Sequence, residues 1–136
     1  DLGAVGRALP LPDLESMHRM KTGALICAAV ELGAMCGPPS TAAEGAALVA
    51  YADAAGLAFQ VVDDVLDVTG TDASLGKTAG KDAEHGKPTY VTLLGLDEAQ
   101  RRAESLRLEA HAALAPYGAR ARRLVELADW IVLRRH

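Results

Sequence analysis

Apolar residues recur at three- and four-residue spacing along most of the chain, and the rhythm breaks at clusters of glycine and proline. From Asp13 to Cys36 no proline interrupts the run, which ends in Gly37-Pro38-Pro39, so a first helix is predicted over 13–36. Ser40 or Thr41 can cap a second, with Glu44 at capping-box spacing from Thr41, and helical composition continues to about Val68. Between Thr69 and Lys87, Gly70, Gly76, Gly80 and Gly86 stand among polar residues and predict a loop or a broken helical excursion. Pro88 suits the first turn of a short helix ending near Gly95. Asp97 opens a charged amphipathic helix that stops at Pro116 to Gly118, and a last helix runs from about Ala119 to Arg134. No repeat or linker divides these segments, which predicts one helical domain or a piece of one.

Composition sharpens this to an all-α fold. Half of the 136 residues are hydrophobic but only 4% are aromatic, so a core must be built from Ala, Leu and Val, which suit close helix packing. The formal net charge of −4 provides no global positive field to hold a nucleic acid backbone. Cys27 and Cys36 fall in one predicted helix, about 14 Å apart along its axis, too far for a disulfide, and read as two buried thiols of a reducing compartment. The richest apolar stretch, Gly23 to Cys36, is shorter than the roughly 18 residues that cross a bilayer and contains Glu31, so no membrane span is expected. Asp1 opens the chain without Met, a basic region or an apolar signal core, and a soluble, cytoplasmic piece of a longer polypeptide is the expectation.

The second helix carries the sharpest chemical pattern. Its segment FQVVDDVLD places Asp63, Asp64 and Asp67 within one broad sector, with Gln60 a turn earlier. Three carboxylates on a helix with apolar flanks repel one another, and Mg²⁺, which bridges a few carboxylates to phosphate oxygens, would neutralise them. An acidic helix face is more often simply solvated, but here the glycine-rich segment LGKTAGKDAEHGKPT follows with Lys77, Lys81 and Lys87. Cation and ammonium groups together make a diphosphate site. The first helix adds HRMKTG, with His18, Arg19, Lys21 and Thr22 at the head of an apolar stretch, so that Lys21 can sit at the rim of a hydrophobic cavity. His18, His85, His111 and His136 are too scattered for metal-ligand spacing. No nucleophile elbow or Walker-type loop is present.

Three runs in order, MHRMKTGALICAAVELGAMCG, YADAAGLAFQVVDDVLDVTG and LGKTAGKDAEHGKPTYVTLLG, resemble the second half of the trans-isoprenyl (polyprenyl) diphosphate synthases, most closely bacterial farnesyl diphosphate synthases, also called geranyltranstransferases. The resemblance covers nearly the whole chain. It implies that residues 1–136 are the C-terminal part of a single polyprenyl synthase domain, a helical bundle around a deep cavity with two aspartate-rich motifs across its mouth. DDVLD resembles the second of these motifs. By that resemblance Asp63 ligates Mg²⁺, Asp64 and Asp67 hold it through water, and Asp82 lies near the same metal. Lys21, Lys77 and Lys87 match lysines that bind the allylic diphosphate, and Thr22 and Gln60 match groups beside the developing carbocation. The implied reaction is head-to-tail condensation of isopentenyl diphosphate with an allylic diphosphate, performed by a homodimer. The first aspartate-rich motif and the arginines that grip isopentenyl diphosphate would precede Asp1, so the chain alone is expected to be inactive and to self-associate through helix faces left uncovered. Class I terpene cyclases share the fold, but their second metal motif usually carries Asn, Ser or Thr and Glu in place of DDVLD. A noncatalytic partner subunit would have no reason to keep mutually repelling carboxylates.

Overall fold

The computed structural model describes residues 9–70 and 86–135, and among them every regular element is helical. In order these are α1 (Leu11–His18), a π-helical turn (Arg19–Gly23), α2 (Ala24–Met35), α3 (Ala42–Thr69), α4 (Tyr90–Leu94), α5 (Leu96–Leu114), a 3₁₀ segment (Ala115–Ala121) and α6 (Arg122–Leu133). The predicted first helix therefore starts two residues earlier and is interrupted by a π turn. Composition gives no warning of that turn, because RMKTG reads as ordinary helix.

Thr41 caps α3 as predicted. Its hydroxyl accepts from the Glu44 amide at 3.2 Å while the Glu44 carboxylate accepts from the Thr41 amide at 3.0 Å, and both satisfy donors that the first helical turn leaves open. The short helix starts two residues later than expected, with Thr89 as its cap and Pro88 outside it. Gly118, at φ 53° and ψ −128°, makes the reversal between α5 and α6, a backbone conformation that a side chain would strain.

α3 is the axis of the bundle and packs most extensively on α5. The buried residues of α5, Ala99, Ala103, Leu106, Ala110 and Leu114, recur every three or four positions and so form a single stripe. Three of the five are alanines, which let the two backbones approach closely. Leu14, Leu57 and Leu106 are almost fully enclosed, and each contributes roughly 1.5–3 kcal/mol by leaving water. The Tyr51 hydroxyl donates to the Leu124 carbonyl at 2.7 Å and ties α3 to α6.

Two expectations need correction. The richest long apolar stretch is not 23–36 but lies in α3, which by length and composition could cross a membrane, with a mean hydropathy of 1.5 over its best window. Half of that window is buried in the bundle, and the apolar length is spent on neighbouring helices. The cysteines are not buried thiols either: Cys27 is half-buried and Cys36 exposed, because α2 buries no residue completely and turns one side outward.

Candidate active site

The site is positioned by a crossing of two glycines. A Cβ built on Gly56 would come within 3.3 Å of the Gly23 Cα, so the end of the π turn lies directly against α3. Lys21 and Thr22 immediately precede Gly23, and Gln60 and Asp63 lie one and two turns beyond Gly56. The crossing therefore brings the HRMKTG segment against the aspartate-bearing half of α3. The result is a cleft of about 240 Å³ whose walls include Lys21, Thr22, Gln60, Asp63, Asp64 and Lys87. Six of the nine site residues expected from the sequence thus share one cleft. Asp67 follows Asp63 by one helical turn and is half-buried, while Lys77 and Asp82 lie outside the described residues.

The adjacent aspartates do different work. Asp63 has a side chain 62% exposed and opens to solvent. Asp64 is buried, and its two oxygens accept from the Tyr90 backbone amide at 2.9 Å and from the Gln60 side-chain amide at 3.2 Å. A carboxylate at the N-terminus of a helix satisfies an open backbone donor there. Asp64 thus fixes the start of α4 against α3 and, with it, Lys87, Pro88 and Thr89 on the cleft wall. It also holds Gln60 by its amide.

His18 lines the cleft and stacks on the buried Tyr90, their ring centroids 5.5 Å apart. Burial, and secondarily the charge of Lys21, lower the His18 pKa to about 4, so the ring is neutral at pH 7. Burial also pushes the Tyr90 phenol well above its ordinary value. Neither ring nitrogen of His18 nor the Tyr90 hydroxyl has a hydrogen-bond partner among the described residues.

Phe59 lines the polar cleft and also a larger chamber of about 630 Å³ whose walls are nearly all apolar, among them Ile26, Val30, Ala55, Leu127, Trp130 and Ile131. A charged mouth and a greasy interior meet at this one ring. Arg134, arriving from the end of α6, stacks its guanidinium on Phe59, 4.5 Å from the ring centroid, and reaches to 3.8 Å from Asp63. Neither Phe59 nor Arg134 was expected as a site residue. Phe59 could have been found from its place beside Gln60; Arg134 lies too far along the chain for any spacing to reveal it.

Among the described residues no three His, Cys, Asp or Glu side chains cluster closely enough to cage a metal. An open arrangement of this kind fits Mg²⁺, which is held by one or two carboxylates, several waters and the phosphates of a ligand. Asp63 and Asp67 stand one helical turn apart on α3.

A model of the polyprenyl synthetase family matches residues 6–117, and the chain belongs to that family. It is 46% identical to the farnesyl diphosphate synthase of Escherichia coli, over 98% of this chain and 46% of that protein. It is 48% identical to a chloroplastic geranylgeranyl pyrophosphate synthase of Arabidopsis thaliana, over 91% of this chain and 35% of the other. Among solved structures, a geranyltransferase of Helicobacter pylori, crystallised with magnesium and isoprenyl diphosphate, superposes with a TM-score of 0.79 at 30% identity, covering 97% of this chain and 43% of that one. The chain spans less than half the length of these relatives, which is consistent with a part of an isoprenoid synthase bundle.

Proposed function

We propose that the chain forms one wall of a prenyltransferase active site, which condenses isopentenyl diphosphate head-to-tail with an allylic diphosphate to give a short-chain prenyl diphosphate of the farnesyl type. The observation that carries this reading is the ring of Phe59, which lines both a cleft bearing acids and lysines and a cavity with nearly all-apolar walls. A prenyl diphosphate has that same division between a charged head and a hydrocarbon tail. Lys21 and Lys87, with Lys77 by resemblance, draw the diphosphate into the mouth and favour its departure by sharing its charge. By the resemblance Asp63 would ligate Mg²⁺, Asp64 and Asp67 would hold it through water and Asp82 would lie near it; when bound, the ion neutralises charge building on the leaving oxygens. Thr22 and Gln60 line the cleft and, by the resemblance, would set polar groups beside the allylic carbon as it becomes cationic. Phe59 and buried wall residues such as Ala55 and Ile131 put hydrocarbon beside that cation, and covering the exposed Leu127 and Trp130 would complete the exclusion of water that otherwise quenches it to an alcohol.

The family resemblance further supports a cytoplasmic homodimer as the working form. Lys21→Ala in the active protein is expected to lower kcat/KM for the allylic diphosphate by about a hundredfold or more, the scale on which a single donor to a developing anion acts. The assay follows labelled isopentenyl diphosphate into extracted product. Activity within twofold of the unmodified protein would remove Lys21 from the diphosphate site and with it the proposed orientation of the substrate.

A further inference from the structure

The end of α6 delivers a cation to a place that the reading above reserves for a metal ligand. Arg134 has a side chain only 14% exposed, its guanidinium lies 4.5 Å above the Phe59 ring, and its Nη2 stands 3.8 Å from the Asp63 carboxylate. That separation exceeds a hydrogen bond, and Nε and Nη2 are buried with no hydrogen-bond partner among the described residues. A buried guanidinium with open donors is ordinarily costly, so electrostatics and stacking must hold it there. Both are present: the π face below, and beside it a carboxylate that shares a helix sector with Asp64 and Asp67.

We propose that Arg134 is a placeholder for the metal, a positioning residue that offsets the charge of Asp63 while the site is empty and competes with a divalent cation for it. The inference rests on the reading of Asp63 as a metal ligand. Its sign follows from Coulomb's law, since a fixed positive charge near a cation site opposes loading, and removing it must favour loading. Stacking on Phe59 keeps the guanidinium close enough to act without bonding the carboxylate so firmly that the metal could not displace it.

Mn²⁺ alone, titrated into the purified protein and followed by the electron paramagnetic resonance signal of the free ion, tests this. Arg134→Met keeps the length and the apolar contact with Phe59 while removing the charge, and is expected to bind Mn²⁺ roughly tenfold more tightly. Arg134→Lys, which keeps the charge, should stay within about twofold of the unmodified protein. The rise in melting temperature on adding Mn²⁺ should also be larger for Arg134→Met, because the ion then supplies charge that the side chain no longer does. Should Arg134→Met fail to fold, Arg134→Gln carries the same expectations. Equal or weaker Mn²⁺ binding by the uncharged variant overturns the inference. An unmodified protein whose Mn²⁺ binding is absent, or is unchanged by Asp63→Asn, overturns instead the reading of Asp63 on which it stands.

Discussion

His18 lies ring on ring with Tyr90, buried and without a hydrogen-bond partner among the described residues, and its pKa falls from 6.5 to about 4 on folding. Above pH 6.5 it is neutral in both folded and unfolded chains and makes no difference to stability. Between pH 6.5 and 4 the unfolded chain takes up a proton that the folded one refuses, so stability falls with pH, and below about pH 4 this loss is complete. His18→Phe keeps a stacked ring without the proton equilibrium. Urea unfolding at pH 7 and pH 4.5 should show the variant losing less stability on acidification, by on the order of 1–3 kcal/mol. Identical losses in the two proteins would mean that His18 is protonated in the native state. Side chains of this kind were only partly legible beforehand. Lys21, Gln60 and Asp63 declare themselves by type and spacing, but nothing in DDVLD says which of two neighbouring aspartates faces solvent and which anchors another helix. That distinction depends on where α4 docks, a contact made across 26 positions of sequence.

Helix boundaries were better legible than helix contacts. The capping box of Thr41 and Glu44, the Gly37-Pro38-Pro39 stop and the reversal near Gly118 are written in local chemistry and occur where that chemistry puts them. The crossing of Gly56 with Gly23 is not local, and a glycine in the middle of a long helix reads only as a weakness. Its use is the close approach itself. Gly56→Leu replaces a poor helix former with a good one, so propensity alone would stabilise α3 by roughly 0.5–1 kcal/mol. The added side chain instead meets the Gly23 backbone and Ile26, and a net loss of about 1–3 kcal/mol in urea unfolding is expected, accompanied by weaker diphosphate binding as Lys21 is pushed from Asp63. A stabilised variant would show that the two helices can part without consequence.

Among the described residues, large apolar side chains are left open on two helices, Leu25, Leu32 and Met35 along α2 and Leu127, Trp130 and Leu133 along α6. An exposed apolar area of this extent is unusual for a chain that works alone. The 136-residue polypeptide, prepared by itself, is therefore expected to elute as an oligomer in size-exclusion chromatography with light scattering and to form no prenyl product. A monomer that turns over substrate would defeat both expectations. The helical class was readable from composition and rhythm, and the place of α3 at the centre was not, since its apolar length fits a bilayer as well as a bundle. The π turn at Arg19–Gly23 has a consequence for how the gene can vary. It holds one residue more than the α-helical path needs, which sets the faces of α1 and α2 about 100° out of phase with a continuous α-helix. Deleting a single codon there would leave a better helix on paper while swinging Leu14 and His18 off the core. The tolerance of this family member to changes in length is thus lowest in a stretch where its composition looks most ordinary.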